Sequence, residues 1–340
     1  MSSRLDSKPQ IWKLASDLRL TSDDSPTRSI LQFVKRRVRQ IAKKFGCKGL
    51  QDLLTATAAE VETVFEEVHS EGDLQQIRAK YVGRGETGFA NLEADLRGSE
   101  DYAITIRRLN REGWEPPFVS VIDCRGGKAY RAYFSKWHEL AHLLTLTPQL
   151  RLAFRRSHSG CAGRDPEEML MDVIASDVGF LQDFIPGATS AEISFETIRQ
   201  IKDAYCQDAS VQAATIGIVK ALPTACVLLE ARPALSKRES FRDSVMDLGL
   251  EGYKPKPALR AVHVTVNGAA RETGIQFHKN WRVPKESVIS RVFEEGGYSE
   301  ATEDLSWWTT SDGGSLGQCE VVVKARKSWE SVQALLIPKM

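Results

Sequence analysis

Lys136-Trp137-His138-Glu139-Leu140-Ala141-His142-Leu143-Leu144 is the stretch on which the reading of this chain turns. It spells H-E-x-x-H inside a run with no Gly or Pro between Ala129 and Thr147, so it reads as a helix. Positions i and i+4 stack on one helical face, which lets His138 and His142 hold one metal ion between them. Glu139, one position on, is the candidate general base toward a water in the same cleft. Two imidazoles with an open position suit the tetrahedral habit of Zn2+, the expected cofactor. An accidental match would leave the apolar setting of Leu140, Ala141, Leu143 and Leu144 unexplained.

A catalytic zinc needs a third protein ligand, and Asp165-Pro166-Glu167-Glu168-Met169-Leu170-Met171-Asp172 offers one. Asp165 reads as an N-cap and Pro166 as the first residue of a second helix. Glu168 and Asp172 are again i and i+4. Glu168 is the expected third ligand, with Glu167 as fallback, and Asp172 is placed behind the metal to hold a ligand imidazole in one tautomer. The plainer reading of Glu167 and Glu168, acidic residues favoured by a helix N-terminus, does not account for Asp172 in its apolar surroundings. Tyr133, His158 or an arginine of the 151–164 loop are candidate oxyanion stabilisers. Cys161, between glycines 160 and 163, is a candidate inhibitory metal ligand, Cys124 its alternative, and an unremarkable loop thiol the plain reading.

Composition bounds the rest. The 340 residues suit two or three domains, and 42% hydrophobic with 27% charged content is that of an ordinary globular chain. A net charge of +1 provides no global field toward nucleic acid or membrane. The opening residues lack the apolar core of a signal peptide, and no apolar run is long enough to span a bilayer. Cysteines 47, 124, 161, 206, 226 and 319 form no CxxC pair and read as free thiols. The expected address is the cytoplasm, without membrane contact.

Along the chain, a helix is expected over 27–45, with Ile30, Leu31, Phe33, Val34, Val38 and Ile41 on its apolar side. Its other face is basic (Arg28, Lys35, Arg36, Arg37, Arg39, Lys43, Lys44), a nucleic-acid surface or, more plainly, a solvated face. Further helices are expected at Thr57–His69 and Asp73–Tyr81. Pro116–Asp123 reads as a buried strand whose edge could pair with extended substrate. Residues 195–230 read as two helices with a helix-turn-helix-like turn at Asp208–Ala214, the second running on to Glu230. After a linker, Arg260–Val266, Gly274–Phe277 and Glu320–Lys324 alternate like strands around a helix at Lys285–Glu295. Trp281, Trp307, Trp308 and Trp329 lie in this last part. They read as a ligand pocket or, more plainly, as core.

Taken together, Val121-Ile122-Asp123, Phe134 ahead of His138-Glu139-Leu140-Ala141-His142, and Glu168 with Ile174-Ala175 resemble the ImmA/IrrE metallopeptidases. The usual A-N before F-A stands here as Met171-Asp172 before Ile174-Ala175. The resemblance is strong over 116–180, looser through 195–230, and its longer architecture is similar to CapP-type peptidases of anti-phage signalling operons. It implies an α+β fold: a mostly helical zincin-like core with a small sheet, a helix-turn-helix-like segment and a C-terminal GAF-like domain. The expected bounds are 1–82, 83–190, 191–235, a linker at 236–257, and 258–340. The implied activity is zinc-dependent endoproteolysis of a helix-turn-helix repressor in a stress, DNA-damage or anti-phage response. Single-stranded DNA or a small ligand is the expected activator. The competing reading is a non-catalytic DNA- or ligand-sensing regulator with a structural zinc, to which Glu139 would be superfluous.

Overall fold

The structure, a computed structural model, describes residues 5–20, 25–98, 102–146, 165–236, 239–240, 256–309 and 314–339. The fold is mixed α+β and divides into two compact units, Met1–Phe184 with Lys202–Gly217, and Ile185–Ile201 with Ile218–Met340. No helix among the described residues is long and apolar enough to cross a membrane.

The first unit opens with α1 (Pro9–Asp17) and α2 (Pro26–Phe45). Ser25 caps α2 by accepting from the Arg28 N–H, Pro26 stands in its first turn, and Gly46 closes it at φ 64°, a left-handed turn that glycine adopts without strain. Ile30, Val34, Val38 and Ile41 form its buried stripe. The basic face is largely taken up within the unit: Lys35 pairs with Asp177, Arg39 with Asp183 and Lys44 with Glu60, while Arg37 donates to the Leu144 carbonyl.

The expected helix over 57–69 is instead the end of α3 (Leu50–Glu60) followed by strand β1 (Thr63–Val68). Glu62, at φ 58°, turns the chain out of the helix. Thr63, Val64 and Phe65 then take the extended form their branched and aromatic side chains favour, in parallel register with a neighbouring strand. Next come α4 (Glu71–Val82), started by a Ser70–Asp73 capping box, the short α5 (Leu92–Asp95), β2 (Ala103–Arg107) and β3 (Phe118–Asp123). The sheet order is β1-β3-β2, β1 parallel and β2 antiparallel to β3. The strand expected at 116–123 is therefore central, buried throughout, and has no free edge; among the described residues the outer strands are β1 and β2. One sheet face, with Val68, Ile104, Ile106, Val119 and Val121, meets Leu74, Ile77 and Tyr81 of α4. The other lies against α6 (Ala132–Thr145), which in turn rests on α7 (Pro166–Val178).

Helices α8 (Phe195–Tyr205) and α9 (Val211–Ala221) follow, each divided between the two units. Ser210 caps α9 through the Ala213 N–H. The helix stops at Ala221 rather than reaching Glu230, because Val227–Ala234 is β4. The second unit continues with β5 (Ala258–Val266), α10 (Gly268–Glu272), α11 (Val288–Glu295), β6 (Tyr298–Asp304), β7 (Glu320–Ser328) and β8 (Ser331–Pro338). They build an antiparallel sheet of order β5-β4-β8-β7-β6, with α11 against β6, β7 and β8. β4 thus sits inside the C-terminal sheet, and a boundary over 236–257 falls between two of its strands. Gly274–Phe277 is not a strand. Trp281 and Trp308 close around Phe277 in the core, at ring separations of 5.3 and 4.7 Å, whereas Trp307 and Trp329 are exposed.

Candidate metal centre

The α6 segment contains no helix breaker, so His138 and His142 follow one another along a single face. Opposite, Asp165 caps α7 by accepting from the Glu167 N–H, and Pro166 begins it, as the sequence predicts. Close approach of the two helices has a backbone reason. A Cβ on Gly179, just after α7, would stand 2.9 Å from the Trp137 ring and 2.7 Å from the Ala175 carbonyl. Glycine is needed there for lack of room.

This packing brings four side chains together. His138 Nε2 lies 3.0 Å from Glu168 Oε2, His142 Nε2 lies 3.4 Å from Glu168 Oε1, and the two Nε2 atoms are 3.2 Å apart. Behind them, His138 Nδ1 is 3.0 Å from Asp172 Oδ1. An ionised carboxylate can only accept, so Asp172 places the proton on Nδ1. In the neutral imidazole, Nε2 is then a bare lone pair facing a second imidazole and a carboxylate. Electron-pair donors converged in this way repel unless a cation or a proton lies among them. A tetrahedral cation with bonds of about 2.0–2.1 Å requires donors spaced about 3.3 Å apart, and the observed spacings bracket that value. His138, His142 and Glu168 form a group able to hold a metal ion. Glu167 is not part of it.

Glu139 is held by the sheet. It is fully buried, and its Oε2 accepts from the Thr105 hydroxyl of β2 at 2.6 Å. Thr105 Oγ1 is 2.6 Å from Ser120 Oγ, which is 3.3 Å from Thr63 Oγ1. Each hydroxyl has one proton. With that of Thr105 given to Glu139, Ser120 donates to Thr105 and Thr63 donates to Ser120. The three strands so present a one-way chain of hydroxyls that ends on the carboxylate. Nothing in the local sequence singles out Thr63, Thr105 and Ser120 strongly. A lone Ser inside Phe-Val-Ser-Val-Ile was the available sign, since a buried hydroxyl needs a partner.

Other candidates fall differently. The Tyr133 hydroxyl is buried and donates to the Gly179 carbonyl at 2.5 Å, and burial pushes its pKa well up. That bond braces the end of α7 and commits the hydroxyl proton to a backbone carbonyl. Cys124 does not join the His138 group; it stands with Glu67 and His69 in a second one. Burial there, aided by the Glu67 charge, pushes its thiol up to about 11. His158, Cys161 and the arginines of the 151–164 loop lie outside the described residues.

No family model matches the chain, and no curated protein matches it.

Proposed function

We propose that the chain is a zinc-dependent endopeptidase whose substrate is a helix-turn-helix repressor. The observation that carries this reading is the convergence of His138, His142 and Glu168, with Asp172 behind His138 and Glu139 next to it on the same helix. Bound zinc would supply Lewis acidity to a scissile carbonyl and bring the pKa of a water to about 7. Asp172 keeps His138 Nε2 available, and Glu168 adds the negative charge that offsets half of a divalent ion. Glu139 holds the transferred proton on its carboxylate and returns it to the leaving amine, aimed by Thr105. The outer edge of β2, the strand that carries Thr105, is where an extended peptide would lie along the site. The five-stranded sheet of the second unit, with α11 on one face, suits the GAF-like sensor that the resemblance implies.

The burial of Glu139 on Thr105 favours a second reading, a regulator with a structural zinc, because a carboxylate tied into the sheet layer can serve the fold alone. One experiment separates them. Wild type and Glu139→Gln are incubated with the helix-turn-helix protein encoded beside the gene, with and without single-stranded DNA. Endoproteolysis predicts cleavage by wild type and a loss of about 10²–10⁴-fold in the variant, with zinc content unchanged. Equal cleavage by both removes Glu139 as the base. No cleavage by either, with zinc bound, selects the structural reading.

A further inference from the structure

The second group of convergent donors is Glu67, His69 and Cys124, whose ligand atoms all lie within 4.8 Å of one another. Its origin is the parallel register of β1 and β3. Val68 stands opposite Asp123, and the Cys124 N–H donates to the Val68 carbonyl at 2.8 Å, one step past the last pair. Side chains alternate along a strand, so Glu67 and His69 share a face, and Cys124 comes up beside His69 on it. That is the face covered by α6, where Cys124 lies with Ile122 and Ala103 against Phe65 and Ala132.

The donors are graded in depth and already oriented. Cys124 is 5% exposed and forms the floor, while Glu67 and His69 stand at an open rim. Glu67 uses its two oxygens separately: Oε1 binds Lys136 Nζ at 2.6 Å, and Oε2 faces His69 Nε2 at 3.2 Å. Lys136 thereby does for the carboxylate what a supporting residue does in a built metal site, fixing one oxygen so that the other is aimed.

We propose that Glu67, His69 and Cys124 form a second metal site, binding one thiophilic divalent cation of the Zn2+ class through Oε2, Nε2 and Sγ. Solvent fills the fourth position. Binding forms the metal–sulfur bond as the thiol proton passes to solvent. The site differs from the His138 centre in having sulfur, and it stands whether or not the chain is a peptidase. Through Lys136, two residues ahead of His138, its occupancy would stiffen the ends of β1 and β3 against the helix that carries the first centre.

The test uses the full chain, stripped of metal and titrated with Co2+ alone, reading the near-ultraviolet thiolate-to-cobalt charge-transfer band together with stoichiometry. Wild type is expected to bind two equivalents, one of them with the band. His138→Ala with His142→Ala should lose one equivalent and keep the band. Cys124→Ser should lose the band, and His69→Ala, a rim substitution that spares the core, should weaken the band-forming event by about tenfold or more. Cys161→Ser should leave it unchanged. A band with only one equivalent in wild type, still lost in Cys124→Ser, upholds this site and removes the first one. Absence of the band in wild type, its survival in Cys124→Ser, its loss in Cys161→Ser, or unaltered affinity in His69→Ala overturns the proposal.

Discussion

The two units each lay a helix on a sheet, and the layers between helix and sheet are unlike. Between α6 and β1-β3-β2 lie Glu139, Thr105, Ser120 and Thr63, polar groups buried and bonded to one another. Between α11 and its sheet lie Val288, Ile289 and Val292 against Val321, Val323, Ala325, Val332, Ala334 and Leu336. Apolar burial contributes about 25 cal/mol per Å² whatever the orientation of the groups. A satisfied hydrogen bond contributes only about 1 kcal/mol net, yet it fixes direction. The first layer is built to aim a carboxylate and the second to hold a sheet together.

The largest expected effect sharpens this contrast directly. Leu336→Ala in β8 should destabilise the second unit by about 2–5 kcal/mol, read from denaturant midpoints by the fluorescence of buried Trp281 and Trp308. Thr105→Val in the polar layer should cost about 1–3 kcal/mol, because it leaves buried Glu139 and Ser120 short of a partner. Equal losses would end the distinction.

Asp123, at the end of β3 on the other face of the same sheet, tests the first unit's buried polar groups at higher stakes. Its burial would raise the carboxyl pKa, but Arg125 and Lys128, at 2.8 and 2.7 Å, outweigh that and hold it below the usual carboxylate range. A depressed folded-state pKa means the ionised group contributes stability above the unfolded value, near 3.9, and that this contribution fades as pH falls through the folded one. Asp123→Asn should therefore cost about 3 kcal/mol at neutral pH. It should also remove that part of the acid-side slope in urea midpoints. A slope identical to wild type would exclude Asp123 as its source.

Asp172→Asn should weaken metal binding about 10–100-fold, measured by competition with a chromophoric chelator, while leaving the metal-free midpoint unchanged. A shifted midpoint with intact affinity would make Asp172 a structural brace instead.

The smallest effect probes the apolar unit. Glu303 accepts from the Val288 N–H at 2.6 Å and from the Ser287 hydroxyl at 3.2 Å, but its Oε2 is buried with no partner among the described residues. Burial pushes its carboxyl up despite those two bonds. A raised folded-state pKa means stability declines as pH climbs from the ordinary glutamate value through the folded one. Glu303→Gln should flatten that decline in midpoints of the second unit. An unchanged profile would show that the charge is relieved by other means.

Legibility followed the range of the interactions. His138, His142, Glu168 and Asp172 were readable because a helix converts spacing of four into a shared face, and because Asp165-Pro166 marks where α7 starts. The helix expected over 57–69 failed at Glu62, where a positive φ and a distant strand outweighed local composition. The helix expected to run on to Glu230 stops at Ala221 for the same reason: residues 227–230 belong to β4, whose partners are β5 and β8, the latter about a hundred residues on.

The sequence by itself determined the α+β class, the helix of the candidate metal centre, the capped helix facing it and the four side chains that meet there, all written within one or two helical turns. Tertiary structure decided that Glu139 rests on Thr105, that Tyr133 serves Gly179, that β3 is central, and that Cys124 stands with Glu67 and His69. Strand partners are chosen by long-range pairing, and spacing along one chain carries no record of which residue will lie across the sheet.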